Sequence, residues 1–135
     1  MIIGVLKEIH PGERRVAMAP SVVKQCLKNE DQVFLEQGAG VIANFTDEQY
    51  EDSGAEIVES ADKIWERADV ILKIRPPQEN NETGKHEADL LRKDACLICL
   101  LNPGRNSDLL KRLAKTGGTA IAVDAIPRIS RAQSM

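Results

Sequence analysis

A chain of 135 residues that is 42% hydrophobic and 29% charged, with one Trp, one Tyr and two Phe, has the make-up of one globular domain with an aliphatic core. Its net charge of −3 speaks against a nucleic-acid partner, because a phosphate backbone asks for a basic face. The longest unbroken apolar run, residues 95–101, is a strand's length and far short of the ~20 residues of a membrane span.

The first six residues carry no basic group ahead of their apolar run, unlike a signal peptide. They predict a strand over 2–6, buried on both faces. A loop over 7–19 follows, carrying Glu8, His10, Glu13, Arg14 and Arg15. Pro20 and Ser21 open a helix with Val22, Val23, Cys26 and Leu27 on one face. Residues 32–36 are the second strand.

Gly38-Ala39-Gly40-Val41-Ile42-Ala43 then matches G-x-G-x-x-A after a strand, with Glu59 about twenty residues on, as a dinucleotide site would. Its context argues for a structural glycine turn instead. A phosphate-binding turn opens directly into a helix, whereas here Asn44-Phe45 intervene and Thr46 with Gln49 forms a capping box that starts the helix late. The phosphate-binding turn also belongs after the first strand rather than the second.

The helix over 46–53 stops at Gly54, and residues 55–58 form a third strand at an edge. Ser60 caps a helix that buries Ala61, Ile64, Trp65 and Ala68. Residues 69–74 are a strong strand containing Lys73, ended by Pro76-Pro77. A lysine there sits where parallel sheets bind ligands, and it is also placed to snorkel to the surface. Residues 78–88 are polar and predict a mobile surface loop with a solvated His86. A helical turn or two follows over 87–93.

Residues 95–101 form the fifth strand, with Cys96 and Cys99 on opposite faces, as free core thiols rather than a metal site or disulfide. Asn102-Pro103-Gly104 is the turn after it, and Asn106 or Ser107 caps a helix burying Leu109, Leu110, Leu113 and Ala114. Residues 119–123 are the sixth strand. Strand and helix alternate throughout, which predicts an α/β fold with a doubly wound, mostly parallel sheet, Rossmann-like or flavodoxin-like. Lys7, Arg15, Lys73 and Asn102 then lie beyond strand C-terminal ends and converge on one anion-facing cleft edge. Residues 127–135, with two arginines, two serines and a glutamine, suit a phosphate, a carboxylate or a carboxamide, or an exposed helix start. No spacing points to a metal or a lipid anchor.

The sequence resembles the N-terminal domain shared by alanine dehydrogenases and the alpha subunit of proton-translocating NAD(P) transhydrogenase. The resemblance lies in Ile-Ile-Gly-Val-Leu-Lys-Glu at the start, in Glu13-Arg14-Arg15-Val16-Ala17 with Pro20, and in Glu36-x-Gly38-Ala39-Gly40 running to Phe45. It continues in Ser53-Gly54-Ala55 and Ile71-Leu72-Lys73. The run Pro-Arg-Ile-Ser-Arg-Ala-Gln-Ser-Met over 127–135 is similar to the transhydrogenase signature that precedes the NAD(H)-binding domain. Asn102 stands where alanine dehydrogenases carry a catalytic histidine, and an amide cannot shuttle a proton.

The resemblance implies residues 1–126 as the N-terminal domain and 127–135 as the start of a segment leading to an NAD-binding domain. It implies hydride transfer between NAD(H) on this component and NADP(H) on a partner, coupled to proton movement, by positioning two rings at an interface. Arg128, Ile129, Ser130, Arg131, Gln133 and Ser134 would then hold the nicotinamide end of the nucleotide. Arg15 and Lys73 match the residues that bind the substrate carboxylate in alanine dehydrogenases, and in the transhydrogenase branch would be structural or a remnant anion site. The implied partners are an NAD-binding domain, the membrane and NADP(H)-binding components, and a second copy in a homodimer. That puts a soluble domain on the cytoplasmic or matrix side of an energy-transducing membrane. The aspartate and Rossmann domain that follow the signature in the family are not among these residues, so a fragment or split product, inactive alone, is expected. An alanine dehydrogenase-like domain and a non-catalytic binding or oligomerisation module are the alternatives.

Overall fold

The computed structural model describes residues 1–125. The proposed nucleotide residues Arg128, Ile129, Ser130, Arg131, Gln133 and Ser134 lie outside the described residues.

Short runs of β-branched and aliphatic residues form β1 (Ile2–Val5), β2 (Gln32–Glu36), β3 (Glu56–Val58) and β4 (Val70–Leu72). They alternate with α1 (Pro20–Lys28), α2 (Asp47–Asp52) and α3 (Ala61–Arg67). After β4 come a small hairpin, β5 (Glu79–Asn80) and β6 (Lys85–His86), and a single 3-10 turn over Glu87–Leu90. The chain then runs through β7 (Cys96–Cys99), α4 (Ser107–Thr116) and β8 (Thr119–Ala122). Among the described residues no helix is long and apolar enough to cross a membrane.

The six-stranded sheet has the order β3-β2-β1-β4-β7-β8, and every pair in it is parallel. The order reverses between β1 and β4, so this is the doubly wound Rossmann arrangement, with its switch point at the centre of the sheet. Pairing follows the apolar pattern, Gly4 lying between Phe34 and Ile71. A side chain on Gly4 would start 2.4 Å from Ile64 and 2.9 Å from Ala68, so the glycine lets α3 lie directly on the central strand.

Alternate strand residues feed two cores. On one face Val5, Val33 and Leu35 meet Val23 of α1 and Tyr50 of α2. On the other Leu6, Phe34, Ile71 and Leu97 meet Ile64 and Trp65 of α3, Ala88 of the turn and Leu113 of α4. The capping box at Thr46 is present, Thr46 Oγ1 accepting from Gln49 N at 3.2 Å and Gln49 Oε1 from Thr46 N at 2.8 Å.

Three expectations need correction. Residues 78–88 are not a featureless loop: the β5–β6 hairpin folds back, and Glu87 and Ala88 are buried. His86 is half-buried rather than solvated, and its Nδ1 accepts from Ala88 N at 3.1 Å to cap the turn. Val22 and Leu27 are each 38% exposed and Ala114 is exposed, so α1 and α4 bury narrower stripes than their periodicity suggests.

Candidate functional site

The loop after β1 crosses the C-terminal edge of the sheet because the residues that follow Leu6 are charged and carry Pro11 and Gly12. Two of its acids turn inward. The Glu8 side chain, 3% exposed, accepts the backbone N–H groups of Ile74 and Arg75, each at 2.9 Å, and the Lys73 ammonium at 3.2 Å. The Glu13 side chain, also 3% exposed, accepts Arg75 Nε at 2.8 Å and binds the Arg15 guanidinium in two-pronged fashion at 2.8 and 3.0 Å. The third acid is Glu87, whose Oε1 lies 3.6 Å from Lys73 Nζ and accepts the Gln78 N–H at 3.0 Å. Three carboxylates and three cations thus interlock over the switch point.

Their environments differ. The Arg15 guanidinium holds the Glu13 carboxyl well below the usual carboxylate range, against burial that pushes the other way. Burial pushes Glu87 up, opposed chiefly by Lys73. Burial also raises Glu36 at the end of β2, whose Oε1 accepts the Lys7 N–H at 3.0 Å. The Cys99 thiol beneath is pushed up to about 12 by burial. A thiol so placed is inert core.

The structure brings together two of the sequence-predicted residues. Arg15 and Lys73 line one cavity of about 270 Å³ with Ala17, Leu72, Ile98 and Leu100. The Arg15 side chain is 59% exposed at its mouth, whereas that of Lys73 is 1% exposed. The acids that hold the Lys73 ammonium, Glu8 and Glu87, do not line the cavity. Lys73 is therefore a paired buried lysine, not a snorkelling one. Lys7 and Asn102 do not join it. Lys7 is exposed beside Glu36, and Asn102 adopts φ 46°, its N–H donated to Asp124 at 2.7 Å.

Sequence reasoning named Glu8 and Glu13 only as loop members and missed Arg75 and Glu87. Ala88 and Leu91, three apart, signal a turn packed on the core; nothing local signals that Glu87 would face a lysine fourteen residues back.

The glycine turn after β2 spends four of its six amides internally. The Gly38 N–H goes to the Asp47 carboxylate at 3.0 and 3.2 Å, that of Ala39 to Glu36 O, that of Val41 to Gly38 O and that of Ala43 to Gly40 O. Gly40 is small because the Tyr50 ring presses on it, 2.6 Å from where a Cβ would sit. The turn is a packing device, and phosphate would have to displace its bonds. A larger cleft of about 540 Å³ on the same sheet edge is lined by both histidines, His10 and His86, and by Arg75 and Arg112. Its guanidiniums are held by Glu13 and Asp89. Among the described residues no group of three or more His, Cys, Asp or Glu could hold a metal ion.

These features define a Rossmann-like α/β domain whose switch point carries an ion-pair network in place of a glycine-rich phosphate loop. Residues 4–135 match the family described as alanine dehydrogenase/PNT, N-terminal domain, and the chain belongs to that family. It is 41% identical over 135 residues to NAD(P) transhydrogenase subunit alpha of Cereibacter sphaeroides, covering 100% of this chain and 25% of that one. It is 36% identical over 126 residues to alanine dehydrogenase of Bacillus subtilis, covering 93% of this chain and 32% of that one. The crystal structure of transhydrogenase from Sinorhizobium meliloti superposes with a TM-score of 0.87 at 35% identity, over 100% of this chain and 38% of that chain. The chain thus spans a quarter to a third of the length of these two curated relatives.

Proposed function

We propose that residues 1–126 are the N-terminal domain of the NAD(H)-binding component of a proton-translocating transhydrogenase. The observation that carries this reading is the run from Pro127 to Met135, supported by likeness along the whole chain to a transhydrogenase alpha subunit. In this reading Arg128, Ile129, Ser130, Arg131, Gln133 and Ser134 face the nicotinamide end of NAD(H) held by a following domain, with residues 127–135 as the start of the connection. The reaction is hydride transfer to or from NADP(H) on a partner component, coupled to proton movement through a membrane component. Two copies of the complete component form a homodimer, and the domain sits on the cytoplasmic or matrix face of that membrane.

The chemistry asked of this domain is modest. It gives one wall of a cleft and fixes the approach of two rings, for which no acid or base is needed. The absence of a histidine at Asn102 is in keeping with that, and so is the glycine turn that spends most of its amides internally. The test is Arg128→Ala in the complete subunit, reconstituted with its partners and assayed for hydride transfer from NADH. Weaker NADH binding or a slower rate is expected; an unchanged reaction would sink the proposal.

A second reading is favoured by one cavity. Arg15 and Lys73 flank a space of about 270 Å³, with mostly apolar side chains around it. That suits a small monocarboxylate, its charge beside Arg15 and its short apolar end on Leu72, Ile98 and Leu100. We assign this cavity as an anion pocket, remnant in a transhydrogenase and a substrate pocket in an alanine dehydrogenase-like enzyme. Pyruvate binding to the full protein, lost in Lys73→Ala, would support the enzyme branch.

A further inference from the structure

The turn that follows the β5–β6 hairpin is capped by an imidazole. His86 Nδ1 accepts the Ala88 N–H at 3.1 Å, and Ala88 is closed to solvent. A ring nitrogen accepts only when it carries no proton, so the neutral ring has its proton on Nε2. A protonated ring donates at both nitrogens and leaves the buried Ala88 N–H without a partner, whichever edge it presents. The hairpin behind the cap is held lightly. Its strands pair over two residues each, Glu79 opposite His86 and Asn80 opposite Lys85. Its base is an exchange between Gln78 and Glu87, at 3.0 Å each way. Charged groups face His86 from several elements. Arg112 of α4 disfavours a charged ring, whereas Asp89 of the turn and Glu79 of β5 favour one. Asp89 is already bonded twice to Arg112 at 2.7 Å. Asp108 of α4, Arg75 after β4 and His10 of the loop after β1 line the same cleft, and Lys85 and Glu87 adjoin the ring along the chain. Burial and Arg112 prevail, and the ring is held neutral.

We propose that His86 is a pH-sensitive latch: uptake of one proton at Nδ1 breaks its bond to Ala88 and frees the β5–β6 hairpin to swing away from α4. The charged ring has an alternative partner, because Glu79 stands directly across the ladder, at the spacing of a cross-strand pair. Gln78, Glu79 and His86 form one wall of the cleft of about 540 Å³ on the sheet edge. Their movement widens that cleft and uncovers Glu87, which the formed turn buries. Neutral solution keeps the hairpin closed and mildly acid solution opens it. Opening takes up a proton, so it is favoured as pH falls below 6.5, the ordinary histidine value. Glu87 acts with the opposite sign, since burial raises it and opening releases its proton. Asp89, held low by Arg112, adds to opening only below its ordinary value of 3.8. The latch is independent of which reading of the function holds.

The test is amide hydrogen exchange between pH 5 and 8, followed by NMR in the unaltered chain and in His86→Asn, with the intrinsic pH dependence of exchange divided out. Asparagine keeps a side-chain acceptor for the cap at every pH. The ratio of the two opening constants cancels the contribution of Glu87 and leaves that of His86. At Ala88, Glu87 and Gln78 this ratio is expected to be level above about pH 7 and to rise below about 6.5, by up to about tenfold per pH unit. At Leu35 and Leu97 of the central strands it should not move. A ratio independent of pH overturns the proposal. So does one that moves at Ala88 alone, which is a ring turning over a closed hairpin, or one that moves equally at Leu35 and Leu97, which is global unfolding. Should His86→Asn fold poorly, the imidazole signals of the unaltered chain decide. The neutral ring must carry its proton on Nε2 and titrate below the ordinary histidine value; a proton on Nδ1, or a midpoint at or above that value, overturns the latch.

Discussion

The two halves of the sheet are built differently. The β3-β2-β1 half is enclosed, with α1 and α2 on one side and α3 on the other. Among the described residues, the β4-β7-β8 half is covered by the 87–90 turn and α4 on one side only. Among the described residues, the helices of the other side pack on β2 and β3, leaving Ile121 41% exposed and Val123, which lines the Arg15 cavity, 46% exposed. The difference separates two tasks: the enclosed half holds the fold, and the open half holds the pocket. Trp65 of α3, 2% exposed, tests the first clause most severely. Trp65→Ala is expected to cost about 3–5 kcal/mol, because a large buried side chain leaves a cavity that its neighbours only partly fill. Urea unfolding should show a lower midpoint at unchanged slope. A loss below about 1 kcal/mol would mean the enclosed half is not the anchor.

The seam between the halves is the ion-pair network, where stability and pocket meet. Lys73→Ala leaves Glu8 and Glu87 facing each other without their shared cation. Removing one member of a buried pair costs about 3–5 kcal/mol, and the lower end is expected, because Glu87 can protonate to relieve the charge. Lys73→Met, of similar volume, repairs packing but not charge, so the two variants together separate the terms. Equal stability of both would show that charge dominates.

How much of this could be read from the chain depended on the range of the signal. The strands, the late helix start at Thr46, the edge position of β3 and the doubly wound sheet follow from local patterns: apolar runs, caps and glycines. The pairing of Arg15 with Lys73 in one cavity was also legible, since a parallel sheet gathers the residues beyond its strand ends. Two things were not. The polar composition of 78–88 suggested a loop, yet a two-residue pairing and one buried acid suffice to fold it down. The network of Glu8, Glu13, Arg75 and Glu87 joins residues as far apart as 67 positions, and no periodicity encodes such pairs. Asn102 failed for a local reason: its positive φ turns it into a bend whose backbone Asp124 holds.

Three acids at and beside the seam, Glu13, Glu87 and Glu36, predict a smaller effect, seen in the pH dependence of stability. Glu13 lies below the usual carboxylate range, so its contribution is complete above that range and fades as pH falls through and below about 4.3. Glu87 and Glu36 lie above it, so the folded form binds more protons there, and stability falls as pH rises from about 4.3 through their raised midpoints. Together they place the optimum in mildly acid solution. Thermal melts across pH should show Glu13→Gln losing the acid limb and Glu87→Gln flattening the other. The acid limb is shallow because the Arg15 partner is more than half exposed.

Ile121 gives the smallest effect and the sharpest reading of the open face. It lies on the side of β8 opposite Ala120 and Ala122, which pack toward α4, and it is 41% exposed. If that side faces water, Ile121→Ser removes little buried area and changes stability by no more than about 0.5 kcal/mol in either direction. If another copy of the chain lies over it in solution, the same change loses a buried side chain, costs about 2 kcal/mol or more, and makes the midpoint depend on protein concentration in the parent but not in the variant. Urea melts of both forms at two concentrations a hundredfold apart decide it. A small, concentration-independent difference leaves the open half open, and the Arg15 cavity accessible to solvent and ligand.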